Sequence, residues 1–171
     1  MALYASKIRK VLDFPTPGIK FYDITPLLED EKMFRRAVED ISSAFKKKRI
    51  DKVVGIDARG FLLAAPVAYV LHAGLVVVRK KGKLPHTIIR EHHFLEYGEA
   101  SLEIHTDAIK KGERVLIVDD VLATGGTAGA AARLVEKLGG AIVGLAFLLE
   151  LKKFKGRKKF PGHTIYSLIV Y

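Results

Sequence analysis

The chain has 171 residues, with 29 Lys and Arg against 19 Asp and Glu, which gives a formal net charge of +10. This length suits one domain with a sizeable core, and we predict a single domain over residues 1–171. The absence of cysteine excludes disulfides and favours a cytoplasmic protein. No apolar run reaches the ~18 residues of a membrane span, and no leader with a cleavage site is apparent, so we expect no membrane association.

The positive charge raises the hypothesis of a nucleic-acid-binding protein. The Lys and Arg side chains are scattered, however, and are not gathered with aromatic residues on one stretch. A polyanionic small substrate accounts for part of the charge equally well. Asn, Gln, Cys and Trp are all absent from the chain. Depletion of thermolabile side chains beside abundant Lys, Arg and Glu is typical of proteins from hot environments, and we predict a thermophilic source.

The N-terminal region predicts a short helix and then a loop. Apolar residues recur at helical spacing over residues 4–12, and Pro15 follows as a terminator. Residues 19–26 are too short and too mixed to form a core element. We expect them to form a loop in which Phe21 either fills a gap in the core or serves a binding site.

Apolar runs alternate with helical patterns along the rest of the chain. A helix is predicted over residues 31–48, with Asp30 as its N-cap. Further helices are predicted from residue 60 to 72 and from 128 to 138. Buried strands are predicted at residues 53–56, 75–78, 115–118, 142–149 and 164–170. This alternation predicts an α/β fold with a mostly parallel central sheet and helices on both faces.

Two segments after predicted strands carry cations. Arg59 follows the first strand beside a glycine, where a guanidinium and exposed helix amides can bind an anion; a structural salt bridge is the alternative. Residues 79–83 place four cations at the end of the next strand, which fits either anion binding or a solvated edge. Residues 84–99 lack a sustained period, whereas residues 101–105 alternate. We therefore predict a mobile lid carried by a hairpin.

Residues 115–127 combine an apolar strand, two carboxylates and a loop of glycines and hydroxyls. Asp119 and Asp120 fall at the carboxyl end of the strand, where open α/β sheets bind their ligands. The loop that follows consists of Ala123, Thr124, Gly125, Gly126 and Thr127. Its glycines let successive amides point into one concavity at the start of a helix, which predicts a phosphate cradle. A ribose diol with Mg²⁺ suits the carboxylates beside it; a simple capped turn is the alternative.

This string resembles the 5-phosphoribosyl-1-pyrophosphate motif of the type I phosphoribosyltransferase family. The resemblance covers nearly the whole chain and includes residues 14–18, 21–26, 57–61, 79–85 and 95–98. Several motifs in the right order are far more specific than one. The resemblance implies the type I phosphoribosyltransferase fold, with a small hood from about residues 14–27 and 150–171 and a flexible β-hairpin lid over about residues 80–106.

The activity that the resemblance implies is transfer of the phosphoribosyl group of 5-phosphoribosyl-1-pyrophosphate to adenine, giving AMP and pyrophosphate. Transfer to a 6-oxopurine is the alternative. A nucleic-acid-binding regulator on the same fold is less favoured, because a sensor needs no lid. The resemblance also implies Mg²⁺ as cofactor, held through waters near Asp119 and Asp120 with no direct protein ligand, and a homodimer.

The same resemblance assigns roles to residues. Glu96 and Tyr97 of the lid match residues over the base and the reaction centre, and Arg59 completes the catalytic set. The acidic pair and the loop after it match the site for the ribose and its 5-phosphate. Pyrophosphate binding is assigned to Ala58, Arg59, Gly60, Arg79, Lys80 and Lys83. The adenine-binding residues are Lys20, Phe21, Tyr22 and Leu151.

Overall fold

The computed structural model describes residues 2–95 and 98–171. Its helices are α1 (Ala2–Ala5), α2 (Thr25–Glu29), α3 (Glu31–Phe45), α4 (Arg59–Val70) and α5 (Gly126–Lys137). Its strands are β1 (Arg9–Leu12), β2 (Lys20–Asp23), β3 (Lys52–Ile56), β4 (Gly74–Lys80), β5 (Ile88–Leu95), β6 (Gly98–His105), β7 (Arg114–Leu122), β8 (Ala141–Glu150) and β9 (Ile165–Val170). Among the described residues, no helix is both long enough and apolar enough to cross a membrane.

The main sheet has the strand order β5-β6-β4-β3-β7-β8-β9. Strands β4, β3, β7, β8 and β9 run parallel, whereas β5 and β6 are antiparallel to their neighbours. Helices α3 and α4 pack on one face and α5 packs on the other. The predicted α/β fold, with a mostly parallel sheet and helices on both faces, is confirmed.

Strand β7 is the centre of the fold because both of its faces are buried. Leu116 and Val118 face the core beneath α3 and α4, and Val115 and Ile117 face α5. Such a strand needs apolar residues at every position, which explains why the pattern predicted it so clearly. The predicted N-cap of α3 is also confirmed, since the carboxylate of Asp30 accepts the third amide of the helix.

The β5–β6 hairpin joins the main sheet through a short contact. Strands β5 and β6 pair along their whole length, from Ile88 opposite His105 to Leu95 opposite Gly98. Strand β6 pairs with β4 only at Arg79 and Lys80. The hairpin is therefore well formed within itself and narrowly attached to the rest of the sheet.

The helix predicted over residues 4–12 is wrong. Helix α1 ends at Ala5, and β1 then pairs antiparallel with β2 in a separate two-stranded sheet. Leu12, which the helical spacing placed on an apolar face, is 70% exposed. Pairing with a segment about ten residues further on outweighs the helical spacing, because so short a helix gains little by itself.

Other segments add to the predictions or differ from them. The loop predicted over residues 19–26 contains β2 and the start of α2, and residues 84–99, predicted as part of the hairpin lid, contain β5. Residues 152–159 contain two 3-10 turns. Of the hood segment 150–171, the part that forms β9 belongs to the main sheet. Strand β7 also continues to Leu122, so the acidic pair lies within its last residues.

Candidate active site

Two cavities open beside the carboxyl ends of β3, β4 and β7. The hood cavity, of about 450 Å³, lies between the segment 18–22, the loop 121–128 and Leu151. The acidic cavity, of about 430 Å³, lies between residues 57–59, Lys80, strands β5 and β6, and the acidic pair. Both cavities are lined by Arg59, Val121, Ala123 and Thr127. The two cavities thus offer adjoining compartments for a ligand that contains a base, a sugar and two phosphate groups.

The loop 123–127 has the backbone geometry of an anion cradle. Gly125 has φ +76°, a left-handed conformation that favours glycine, and it precedes the first residue of α5. Its carbonyl accepts the amide of Gly129 at 2.9 Å. The amides of the first helical turn therefore point outward toward the cavity with the positive end of the helix dipole.

A second glycine, distant in sequence, supports this loop. Gly156 is buried against it so closely that an ideal Cβ on Gly156 would lie 2.1 Å from the carbonyl oxygen of Ala123. A Cβ on Gly125 would likewise lie 2.9 Å from the carbonyl oxygen of Gly156. The backbone of the cradle thus rests directly on the backbone of the segment 152–159.

An ion pair between a buried carboxylate and an exposed arginine holds that supporting segment in place. The Glu150 carboxylate, at the end of β8, accepts the Arg157 guanidinium through both oxygens and the Ser167 hydroxyl at 2.7 Å. The hydrogen bonds from Arg157 lower the pKa of Glu150, although burial opposes the shift. Since Arg157 neighbours Gly156 in the chain, this pair fixes where the supporting backbone lies.

The acidic pair lies at the junction of the two cavities. Asp119 Oδ1 accepts the backbone amide of Asp120 at 2.9 Å. Burial raises the pKa of Asp119 well above its ordinary value, and the charge of Asp120 raises it further. Burial also raises the pKa of Asp120, with the Arg59 guanidinium opposing. Gly60 allows this packing, since a Cβ there would lie 2.6 Å from Asp119 Oδ1.

Arg59 connects the acidic pair to the aromatic wall of the hood cavity. Its Nε lies 2.7 Å from Asp120 Oδ2. Among the described residues, Asp120 Oδ2 has no well-aligned hydrogen-bond partner, so this contact is an ion pair without hydrogen-bond geometry, and the oxygen is buried. The guanidinium carbon also lies 4.8 Å from the centre of the Phe21 ring. One cation therefore touches the site's anionic and aromatic parts together.

The basic segment after β4 is organised by Asp57, a carboxylate that is only 4% exposed. Asp57 Oδ2 lies 3.3 Å from Arg79 Nε and 3.6 Å from Lys83 Nζ, and it accepts the Lys80 amide at 3.4 Å. Burial raises the pKa of Asp57, but the Lys80 amide and the two cations outweigh burial and hold it below its ordinary value. Only Lys80 of the three cations lines the acidic cavity.

The far wall of the hood cavity is aromatic and aliphatic. The Phe21 ring makes an edge contact with Phe14, at 5.1 Å between ring centres, and Tyr22 packs on Tyr171 at 5.0 Å. Leu151 follows Glu150 and closes this side. A flat heteroaromatic ring fits such a wall because its faces are apolar and stack on aromatic side chains.

The structure brings most of the predicted site residues together. All four residues predicted to bind the base, Lys20, Phe21, Tyr22 and Leu151, line the hood cavity with the loop 123–127. Ala58, Arg59, Lys80 and the acidic pair line the acidic cavity. Gly60 lies behind Asp119, while Arg79 and Lys83 are bound to Asp57. Glu96 and Tyr97 lie outside the described residues.

Sequence reasoning missed four supporting residues. Asp57 stands within a motif that the resemblance covered, but no role was assigned to it. Gly156 and the Glu150–Arg157 pair gave no local signal, because their partners are distant in the chain. Across residues 2–95 and 98–171, no cluster of three or more His, Cys, Asp or Glu side chains is placed to hold a metal ion.

The geometry defines a class of enzyme, and comparison with known proteins agrees. The phosphoribosyl transferase domain family matches residues 24–167. The chain belongs to the phosphoribosyltransferase family.

Its relatives within the family are more particular. It is 52% identical over 166 residues to the adenine phosphoribosyltransferase of Anaeromyxobacter dehalogenans, covering 97% of this chain and 96% of the relative. It is similar to the crystal structure of adenine phosphoribosyltransferase from Thermoanaerobacter pseudethanolicus, with a TM-score of 0.96, 49% identity and 99% of each chain covered. The Saccharomyces cerevisiae enzyme, complexed with D-2,5-dideoxy-2,5-imino-altritol 1,6-bisphosphate and adenine, gives a TM-score of 0.89 and 36% identity over 98% of this chain and 99% of its own.

Proposed function

We propose that the protein transfers the phosphoribosyl group of 5-phosphoribosyl-1-pyrophosphate to adenine, giving AMP and pyrophosphate. The observation that carries this proposal is a pair of adjoining cavities. The hood cavity has an aromatic wall, the acidic cavity is lined by carboxylates and cations, and Arg59 and the cradle form a wall common to both. In the reaction, the bond from C1 of the sugar to pyrophosphate breaks and a bond to a ring nitrogen of adenine forms. That nitrogen loses its proton.

The sugar phosphate occupies the cradle and the acidic pair. The amides and hydroxyls of residues 123–127 donate to the 5-phosphate at the start of α5. We assign Asp119 and Asp120, which line the acidic cavity, to the ribose hydroxyls. Asp120 Oδ2 has no aligned hydrogen-bond partner among the described residues, and a ligand hydroxyl that reached it would supply one. A cation bound beside the pair would offset the burial and the Asp120 charge that raise the pKa of Asp119.

The leaving pyrophosphate is received on the basic side of the acidic cavity. Lys80 lines the cavity, and Ala58 and Arg59 begin α4, whose first amides face the same space. We assign Arg79 and Lys83 to the same group, released from Asp57 when the anion arrives. Two buried carboxylates beside a polyanion suit Mg²⁺ held through water, and such an ion would supply charge neutralisation of the leaving group.

The base is read by backbone groups rather than by side-chain amides. The chain contains no Asn or Gln, which commonly offer a purine a donor and an acceptor together. Residues 20–22 line the hood cavity, and we assign the reading of the base to the backbone groups of this strand that β1 leaves unpaired, with the Phe21 ring stacked on the base. The complex of the yeast relative with adenine supports the same base here.

The hairpin of β5 and β6 serves as the lid, and we assign Glu96 and Tyr97 to the reaction centre. The transition state resembles an oxocarbenium ion, so the lid's task is to exclude water and orient the base. Glu96 takes up the proton that leaves adenine. Together with a hood formed mainly by residues 14–27 and 151–164, the lid completes a single domain.

We also propose that the protein is a homodimer. Helix α4 exposes an apolar stripe, Leu62 and Tyr69, and Leu75 and Val70 lie exposed nearby. An exposed apolar stripe suits an isologous contact with a second copy of the chain. Because α4 begins with Arg59, this contact would lie close to the site. Sedimentation should give twice the monomer mass, and Tyr69→Glu should shift it toward the monomer.

A turnover panel tests the function. Purified protein with 5-phosphoribosyl-1-pyrophosphate and Mg²⁺ is supplied in turn with adenine, hypoxanthine, guanine and xanthine, and nucleotide and pyrophosphate are measured. Adenine alone should give rapid turnover with one pyrophosphate per AMP. Faster turnover of a 6-oxopurine, or no turnover with any base, would contradict the proposal.

A further inference from the structure

His93 is a buried histidine of β5 that the proposed reaction does not use. It is 6% exposed, and its ring separates the acidic cavity from a third cavity of about 480 Å³ on the other side of α5's first turn. Its Nε2 lies 3.4 Å from Oγ1 of Thr127, the last residue of the cradle. Its Nδ1 is buried with no hydrogen-bond partner among the described residues.

The two ring nitrogens are not equivalent in this setting. Burial lowers the pKa of His93, and the positive charges of Arg133 and Lys159 lower it further, which favours the neutral ring. A neutral imidazole carries one N–H. An unpaired buried N–H is rarer and costlier in proteins than an unpaired acceptor, so the hydrogen belongs on Nε2 rather than on the unpartnered Nδ1.

This tautomer fixes what Thr127 does with its own hydrogen. With Nε2–H donating, Thr127 Oγ1 is the acceptor of the contact. The hydroxyl hydrogen of Thr127 is then free to point elsewhere, and Thr127 lines both cavities at the start of α5. A hydroxyl held in this way is a preoriented donor toward an anion.

The strand that carries His93 is anchored to the helix that carries Thr127. The Arg133 guanidinium of α5 donates to Glu91 at 2.7 Å and to the backbone carbonyl of His92 at 3.2 Å. Lys137, one turn further along α5, also pairs with Glu91. His93 lies in β5 with Glu91 and His92, and Thr127 lies in α5 with Arg133. The contacts between these two elements therefore hold the His93 ring beside the cradle.

We infer that His93 is a positioning residue for the sugar-phosphate site, which orients the Thr127 hydroxyl as a donor to the 5-phosphate and thereby ties lid strand β5 to the cradle. This inference rests on the proposed function, in that the anion in the cradle is the 5-phosphate. The role inferred for His93 is exerted through Thr127.

The test is a double-mutant cycle read by ligand affinity. The variants are His93→Phe, which keeps the volume without a donor, His93→Gln, which restores an N–H near the Nε2 position, Thr127→Val, and the His93→Phe/Thr127→Val double variant. The matched control is His92→Phe, an exposed neighbour whose Nδ1 contacts Ser101 across the hairpin. The Kd of ribose 5-phosphate is measured by calorimetry, with KM for each substrate and the melting temperature of each variant.

The expected result is a selective loss. His93→Phe should raise the Kd of ribose 5-phosphate by roughly two- to tenfold, the loss expected for one neutral hydrogen bond, and leave KM for adenine unchanged. His93→Gln should recover most of the affinity, and the control should match the parent. The double variant should bind no more weakly than Thr127→Val alone, because the two side chains act as one unit.

Other outcomes overturn the inference in distinguishable ways. If Thr127→Val weakens binding but His93→Phe does not, or if the two losses multiply, the cradle assignment stands and the role of His93 is wrong. If His93→Phe lowers only the melting temperature, the residue is structural. If Thr127→Val leaves ribose 5-phosphate affinity at the parent value, Thr127 does not contact the phosphate, and both the cradle assignment and the inference fail.

Discussion

Replacing Gly156 by alanine should displace the backbone that supports the phosphate cradle. The new Cβ would lie 2.1 Å from the carbonyl oxygen of Ala123 and 3.0 Å from the amide nitrogen of Gly125. Ordinary contacts of a Cβ begin at 3.4 Å, so the segment must retreat by about 1 Å. Overpacking of this kind typically costs about 1–3 kcal/mol. For a domain of this size, the melting temperature should fall by about 2–12 °C.

The effect on catalysis should exceed the effect on stability. A displacement of about 1 Å in a positioning element can lower activity by as much as 10²-fold. We expect Gly156→Ala to raise KM for 5-phosphoribosyl-1-pyrophosphate and to lower kcat by roughly tenfold or more. AMP formation, followed across a substrate series, measures both.

Gly129→Ala is the matched control on the helix that the cradle begins. A Cβ on Gly129 would meet only Arg133 Nη1, at 3.6 Å, so there is room for it. Alanine is favoured over glycine in a helix by about 0.5–1 kcal/mol, and this variant should be slightly more stable and fully active. If Gly156→Ala melts and turns over as the parent does, the cradle does not depend on its support and the reasoning is refuted.

Three further changes probe the site. Asp57→Asn should lower the melting temperature at pH 7. Because the pKa of Asp57 is below its ordinary value of about 4, this difference should persist down to about pH 4 and close as the pH falls further; a difference constant with pH would contradict the ion-pair account. Asp119→Asn should lower kcat at least about tenfold. It should raise the stability of the protein at pH 7, since the raised pKa of the buried carboxyl shows that its charge is costly, and this gain should shrink toward acid pH. A variant less stable than the parent would argue against this account. Phe21→Ala should weaken adenine, hypoxanthine and guanine alike by about 1–3 kcal/mol, and a switch in base preference would count against backbone reading of the base.

The sequence was informative where the physics is local or a strand is buried on both faces. Residues 115–118 could only be a buried strand, and the acidic pair with the glycine loop had to follow at the sheet's carboxyl edge. The N-cap of α3 was equally readable, because Asp30 and the first turn are adjacent in the chain.

The sequence was misleading where partners are distant. Strand β1 forms because it pairs with β2, and no feature of residues 9–12 indicates that partner. Strand β5 carries charged and histidine side chains because one side meets α5 and its Arg133, so it shows no clean alternation. Gly156 is indistinguishable in the sequence from any loop glycine, since its requirement arises from the carbonyl of Ala123.

The β5–β6 hairpin is held from two sides. Among the described residues, its ladder to the main sheet consists of Arg79 and Lys80 of β4 paired with β6. On the other side, Arg133 and Lys137 of α5 pair with Glu91 of β5. A movement of the whole hairpin about the β4 ladder would therefore have to break the ion pairs with α5. Two elements of the core thus set how far the hairpin can open.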